Sequence, residues 1–290
     1  MKPPVFDYFA PTTVDETHRL LAEHQADGKI LAGGQSLVPV LNMRLAYPAV
    51  LIDINRVSEL DHITLDNGRL TIGALTRQQT LLESDVVAEH FPLLAEATRY
   101  IGHRTIRNRG TVGGSLAHAD PAAELPAVML ALNAELTLSS TRGQRQVPAQ
   151  DFFVDYMTTA LNPDELLQAV QIPAPAPRSG WSFKEVSRRH GDFALVATAA
   201  LVTLDEAGTC TDARLVLTGV GPTPVTVDLS TTLIGAVPTA DAVAAAADAA
   251  REAVDPPSDV HATSDYRRHL ARVLSRRALT TAIERAGGRV

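Results

Sequence analysis

Residues 32–37 read AGGQSL and residues 111–116 read TVGGSL. Glycine in structured chain costs conformational entropy, so adjacent glycines mark a tight turn or a spot where something approaches too closely for a Cβ. One such pair between a strand and a helix reads as a turn. Two pairs, about 80 residues apart, constrain the fold more. Each precedes an apolar helical segment, and each is followed by hydroxyl or amide side chains, Gln35 and Ser36 in the first and Ser115 in the second. Backbone N–H groups near two helix starts, aimed into one cavity, make a nest for phosphate.

The kind of phosphate ligand is narrowed by what is missing. Neither pair is followed by Gly-Lys-Ser/Thr, so neither is a P-loop, and AGGQSL lacks the third glycine of the Rossmann fingerprint. A nucleoside triphosphatase and a nicotinamide Rossmann dehydrogenase both lose ground. The diphosphate of another cofactor, gripped between two segments, remains. A net charge of −7 argues against a general nucleic-acid binder. The single cysteine, Cys210, excludes an internal disulfide, a four-cysteine iron–sulfur cluster and a Cys-rich zinc site on this chain. His103, His118 and His190 have no metal-ligand spacing, and no Ser-His-Asp arrangement is legible, so no metal and no catalytic acid–base residue is expected. No apolar run approaches the ~18 residues of a membrane span, and the opening MKPPVFDYFAP has no signal-peptide core. A cytoplasmic protein is the expectation.

Along the chain the pattern is mixed. Residues 12–26 predict a helix with a capping box from Thr13 to Glu16. Lys29 to Ala32 reads as a strand, followed by the first glycine segment, a short helix, and a buried strand in AVLIDI. RLTIGAL (69–75) alternates as a strand; 76–102 reads as a helical pair with Thr76 as N-cap. The second glycine segment precedes a helix around 122–133, with Asp120 and Pro121 fitting N-cap and N1, then a strand and a hairpin return in GQRQVPAQDFFV. PAPAPRSG (173–180) is the best domain boundary. Beyond it WSFKEVSRR, FALVATAALVTLD and ARLVLTGVG predict a three-stranded antiparallel meander. Helices over 239–253 and 264–286 close the chain, the latter with Leu270, Val273, Leu274 and Leu279 on one stripe. The fold class is α+β, with an αβ half at 1–175, divided into about 1–57 and 58–175, and a smaller unit at 176–290.

KILAGGQSLVPVLNMRLAYP and IRNRGTVGGSLAHADPAAELP together resemble the two flavin-adenine-dinucleotide segments of the medium, flavoprotein subunit of molybdenum hydroxylases. That family includes carbon monoxide dehydrogenase and xanthine dehydrogenase-type enzymes. FDYFAPTTVDE and FKEVSRRHGDFALVATAALV extend the likeness over nearly the whole chain. The resemblance implies a two-part FAD-binding domain of the vanillyl-alcohol-oxidase type, then a C-terminal domain with a three-stranded antiparallel sheet and helices. It implies a first FAD segment led by Lys29, Ile30, Leu31 and Ala32, with Gly33, Gly34, Gln35, Ser36 and Leu37 around the diphosphate. In the second, Thr111, Gly113, Gly114 and Ser115 would supply opposing N–H groups and hydroxyls, with Ile101, Gly102 and His118 close to the cofactor. Glu124 falls where the family has an acid that accepts hydrogen bonds from the cofactor; as plain sequence it is equally a first-turn helix acid. Leu167 matches an apolar residue near the cofactor and also reads as strand core. Lys184 matches a lysine near the isoalloxazine, against the plainer reading of a solvated strand lysine, and Phe193 stands where relatives carry tyrosine over the ring. Arg104, Arg107 and Arg109 read as a solvated basic face or as a docking edge.

The function implied is electron transfer. A molybdenum–pterin centre on a large partner oxidises substrate, and two [2Fe–2S] clusters on a small partner relay electrons to FAD on this chain, which passes them to an external acceptor. A dimer of heterotrimers is the expected assembly. The alternative is a stand-alone flavoprotein oxidase or reductase of the same FAD fold, which needs its own substrate pocket and base.

Overall fold

Thr13 sets the first helix. Its backbone is extended (φ −133°, ψ 160°) and its Oγ1 accepts from Glu16 N at 3.2 Å. The return bond of the expected capping box runs to Thr12 N, which donates to Glu16 Oε2 at 2.8 Å. The computed structural model describes residues 2–289. Strand β1 (Asp7–Phe9), helix α1 (Val14–His24), strand β2 (Gly28–Leu31), helix α2 (Leu37–Asn42) and strand β3 (Val50–Asp53) form the first lobe. Its three strands are parallel in the order β1-β3-β2. Parallel neighbours need a crossover, and the first glycine segment with α2 is the crossover from β2 to β3. The lobe's core holds Leu21, Ile52, Val57 and Leu60.

The second lobe comprises β4 (Ile63–Asp66), β5 (Arg69–Gly73), α3 (Gln78–Glu83), α4 (Asp85–His90), α5 (Pro92–Thr98), α6 (Arg104–Arg107), α7 (Val112–His118) and α8 (Glu124–Ala131). These are followed by β6 (Glu135–Ser140), β7 (Gly143–Pro148), α9 (Ala149–Phe152), the small ribbon β8 (Phe153–Asp155) and β9 (Thr158–Thr159), and β10 (Leu166–Pro173). Its antiparallel five-stranded sheet runs β4-β5-β10-β6-β7, with the last strand in the middle. Leu70, Ile72, Phe91, Leu94, Leu125 and Phe152 are fully buried between sheet and helices. The predicted helical pair is three helices, because Pro92 starts α5 directly after α4. Thr76 does not cap: its Oγ1 donates to His62 O at 2.9 Å, holding it to the sheet, and Arg77 takes the N-cap position.

The C-terminal unit is the predicted meander of β11 (Ser179–Ser187), β12 (Ala194–Leu204) and β13 (Cys210–Thr218), with α10 (Ala240–Glu252) and α11 (Ser264–Arg285) packed on it. A fourth, two-residue strand, β14 (Val225–Thr226), extends the sheet along β13, too short to carry a sequence signal. Every residue of β12 is buried, so this strand is covered on both faces, which its unbroken run of small and apolar residues fits. Phe183, Ala197, Ala199 and Val216 face the second lobe's core; Val196, Ala200, Leu215 and Leu217 face α10 and α11. On α11, Leu270, Leu274 and Leu279 are buried as predicted, while Val273 is half-buried.

Candidate functional site

The first glycine segment leaves the end of β2, where Ile30 and Leu31 pair with Ile52 and Asp53. Gly34 has φ +72°, the left-handed region that favours glycine. A Cβ on Gly33 would stand 2.5 Å from Arg109 O and 2.9 Å from Gly110 Cα, so only glycine lets this backbone lie on the start of the second segment. Gln35 Nε2 donates to Gly33 O at 3.2 Å. Among the described residues the N–H groups of Gly33, Gly34, Gln35 and Ser36 have no partner in the chain, and the Ser36 hydroxyl has none either. Ser36 holds the N-cap position of α2 without capping it. Half-buried donors left open on one bend, at a helix start, are an anion-binding arrangement. Lys29 is exposed, Ile30 and Ala32 pack on the first lobe's core, and Leu31 and Leu37 are half-buried.

The second segment is not a loop. Thr111 is the N-cap of α7, its Oγ1 accepting from Gly114 N at 3.0 Å, and the glycines sit in the helix's first turn. Val112 N donates to Thr76 O at 3.0 Å, Gly113 N to Ala74 O at 2.9 Å and Ser115 N to Thr111 O at 3.1 Å. The N–H groups of Val112 to Ser115 are therefore already engaged, the first because residues 110–112 pair antiparallel with the chain at Thr76 and Arg77; of the expected donors only Thr111 N stays open among the described residues. Gly113 is small for packing: its Cβ would meet Ala74 Cβ at 2.5 Å. Gly114 is different. The position its Cβ would take lies 3.7 Å from Ala32 Cβ, so the two segments meet here. The Ser115 hydroxyl makes no hydrogen bond among the described residues, which leaves this segment a hydroxyl to contribute.

Two residues latch the segments together, and neither stood out in the sequence. Asn55 Nδ2 donates to Ala32 O at 2.8 Å and to Asp53 Oδ1 at 2.6 Å. Arg77 donates through Nη2 to Asn55 Oδ1 at 2.6 Å and through Nη1 to Arg109 O at 2.5 Å. Burial first, and Arg109 second, pull the Arg77 guanidinium below its ordinary value, yet it stays a cation at any physiological pH. A fixed positive charge thus stands beside the open N–H groups.

Helix α7 leads away from this junction. Its seven residues span about 10 Å and end at half-buried His118. Asp120 does not cap the next helix. Its Oδ1 accepts from Ala122 N at 2.8 Å in a local turn, and Ala123 is the N-cap of α8. Glu124 opens α8 and is buried; desolvation pushes its carboxyl up to about 7. Ile101 is buried and Gly102 turns with φ +46°. Leu167 is buried in β10 opposite Leu138, in the core of the sheet.

The structure does not turn Lys184 toward the seam between the second lobe and the C-terminal sheet. Along β11 side chains alternate, and Trp181 and Phe183 pack toward the second lobe while Val186 packs toward the C-terminal helices. Lys184 shares a face with Val186, and Glu185 shares one with Phe183. Burial, and then the charge of Glu124, push the Glu185 carboxyl up to about 8. Glu185 was missed in the sequence; strand alternation from the aromatic pair Trp181 and Phe183 is the signal that could have found it. Phe193 is 66% exposed on the β11–β12 turn, and on the same turn the ring of His190 meets that of His103 edge to face, with centroids 5.8 Å apart. Among the described residues no three His, Cys, Asp or Glu side chains are grouped to hold a metal, and no helix is long and apolar enough to cross a membrane.

Two family models match the chain. Residues 4–175 match the FAD binding domain in molybdopterin dehydrogenase, and residues 181–282 match the CO dehydrogenase flavoprotein C-terminal domain. The chain is 45% identical to the 6-hydroxypseudooxynicotine dehydrogenase complex subunit alpha of Paenarthrobacter nicotinovorans, covering 99% of this chain and 97% of that one. Among solved structures it is similar to carbon monoxide dehydrogenase from Hydrogenophaga pseudoflava, with TM-score 0.96 and 39% identity over 98% of this chain and 99% of that one. It is also similar to quinoline 2-oxidoreductase from Pseudomonas putida 86, with TM-score 0.93 and 39% identity over 99% of each chain.

Proposed function

From a chain that belongs to the molybdopterin dehydrogenase FAD-binding family, with the CO dehydrogenase flavoprotein C-terminal domain behind it, we propose the FAD-carrying electron-transfer subunit of a molybdenum hydroxylase complex. The observation that carries the reading is the junction of the two glycine segments. Gly33 lies on Arg109 and Gly110 where a Cβ would clash, and four N–H groups stand open beside the Arg77 cation. That cradle fits a dinucleotide diphosphate: short, anionic, and needing donors without side-chain bulk.

In this reading the open N–H groups of Gly33 to Ser36 and the hydroxyls of Ser36 and Ser115 bind the diphosphate oxygens. Arg77 holds the two segments in register and offsets the charge. Helix α7 sets the distance from the diphosphate to the seam, where Ile101, Gly102 and Glu124 line the ring and Phe193 covers it from the turn. The bound flavin supplies storage of two electrons and their release singly or as a pair. The chain's own part is to bind, orient and shield.

The electrons come from a small subunit with [2Fe–2S] clusters, fed by a large subunit with the molybdenum–pterin centre. The names of the relatives support this, since they are a complex subunit and molybdenum-cofactor enzymes. We further infer a dimer of heterotrimers in the cytoplasm, a vanillyl-alcohol-oxidase type of FAD domain over 1–175, and a flavoprotein domain over 176–290. The test is direct. Purified full chain is reconstituted with FAD and its visible spectrum recorded after gel filtration. Retained flavin absorption is expected; a colourless chain of unchanged fold would overturn the reading.

A further inference from the structure

Glu185 lies opposite Ala197 on β12, and Ala197 opposite Thr218 on β13, so the three form one row across the sheet on the face toward the second lobe. The alanine leaves depth in the middle of the row. At its far end Thr218 Oγ1 donates to Pro121 O at 2.6 Å, with Ala123 O at 3.1 Å, which seats residues 121–123 on the sheet and brings Glu124, at the start of α8, to this end of the row. Glu124 is 7% exposed, and its carboxyl has no hydrogen bond to another residue among those described. Glu185 Oε2 is fully enclosed without a hydrogen-bond partner, and the Ser187 hydroxyl beside the carboxyl offsets its burial only in part.

Other charged and titratable groups around the row are engaged elsewhere or carry no positive charge. From α5, Glu96 accepts from Phe183 N and pairs with Arg285, and the Tyr100 phenol is pushed up by burial, by Glu96 and by Glu185. Asp120 is held by Ala122 N. On the β11–β12 turn, Arg188 and Arg189 pair with Asp192 at 3.6 Å and 3.5 Å, and the ring of His190 meets that of His103 edge to face. Lys184 is on the opposite face. Among the described residues no cation pairs with Glu124 or Glu185. Two carboxyls that share a poorly hydrated space without a cation cannot both ionise readily, and the proton they keep belongs to the pair.

We propose that Glu124 and Glu185 line the flavin end of the site as a one-proton pair, one carboxyl donating a hydrogen bond and the other accepting. This deepens the FAD reading and rests on it. The pyrimidine edge of a flavin ring carries an N–H flanked by carbonyl oxygens, so it complements a site that offers a donor and an acceptor side by side. Removing the shared proton leaves two acceptors and a second buried charge, which opposes ring binding.

The experiment measures FAD affinity of the full chain by quenching of flavin fluorescence, over a pH range that brackets about 7 and about 8. Wild type should bind best between the two values, where the pair holds one proton, and should lose affinity as pH rises past about 8, on the order of tenfold per unit of pKa change between free and bound pair. Glu185→Gln keeps a donor at all pH values and leaves Glu124 to titrate alone, so its affinity should rise as Glu124 ionises near 7 and then stay level above about 8, where wild type falls. The second readout needs no flavin. An infrared C=O band of a protonated carboxyl should persist in wild type between about 7 and about 8 and be lost in Glu185→Gln once pH passes about 7. A flat wild-type profile, or a variant with the wild-type slope, overturns the pair even where FAD binds well. If wild type binds no FAD at any pH, the FAD reading falls and the ring assignment with it; the infrared band then reports separately on the shared proton.

Discussion

Arg77 Nη2 donates to Asn55 Oδ1 at 2.6 Å, and Asn55 in turn donates to Ala32 O at 2.8 Å. This chain of two side chains, closed at its other end by Arg109 O, connects the crossover of the parallel lobe to the segment before α7. Replacing Arg77 by alanine removes both bonds and the cation, each charged hydrogen bond being worth about 1.5–3 kcal/mol. Arg77→Ala should weaken FAD binding at least tenfold while circular dichroism stays unchanged. Asn55→Ala should do less. The double variant should cost less than the sum of the two, because they form one network.

Gly33→Ala puts a methyl 2.5 Å from Arg109 O, a backbone atom that cannot rotate away. The segments must part, so FAD retention should be lost and thermal stability of the first lobe lowered by about 1–3 kcal/mol. Gly34→Val and Gly114→Val should likewise abolish FAD retention, the first through its φ of +72° and the second through crowding of Thr111 Oγ1 at 2.5 Å. Each is checked by flavin stoichiometry beside calorimetry of the C-terminal domain, which should still melt as in wild type.

Stability should fall with pH through the Glu124–Glu185 seam. Both folded carboxyls have values above their ordinary 4.5, at about 7 and about 8, so the folded chain binds more protons than the unfolded one between those limits. The unfolding free energy therefore declines as pH rises from near 4.5 toward 8, and the penalty is fully developed above the folded values. Glu185→Gln should raise stability at the alkaline end, on the order of 2 kcal/mol after allowing for solvent at the edge of the seam, and leave it nearly unchanged at the acid end. Denaturant midpoints at the two ends test the sign; a greater gain at the acid end would refute it.

Lys184→Ala should leave FAD affinity within twofold of wild type, because its side chain is on the sheet face turned to the C-terminal helices. Titration with FAD measures this directly.

The sequence carried the site's two poles and the C-terminal meander clearly. Paired glycines, Pro-rich boundary residues and unbroken apolar runs are strong local signals, and local physics dominates there. It failed where a side chain had a choice of partners. Thr76 had a capping role available at α3 but bonded His62 O, and Asp120 formed a turn with Ala122 instead of capping α8. The N–H groups of Val112 and Gly113 read as open donors until the backbone at Ala74 and Thr76 claimed them. For Lys184 and Glu185, neighbours in sequence, one residue of register sends them to opposite faces, and a basic residue near a flavin is the easier expectation. Asn55 and Arg77 act through contacts 22 residues apart, which no local pattern records.

Strand β10 lies between β5 and β6, which do not touch each other in the sheet. During synthesis the strands holding Leu70, Ile72, Leu136 and Leu138 are therefore made long before the strand that unites them. Until Leu166–Pro173 has left the ribosome, each presents an unpaired apolar edge, the form of chain most prone to wrong association. A polypeptide cut short of β10 would hold both glycine segments and still lack the centre of the sheet against which the second one is held. The cofactor cradle is thus completed from its far end, and the nascent subunit becomes competent to take FAD only when its first domain is almost entirely made.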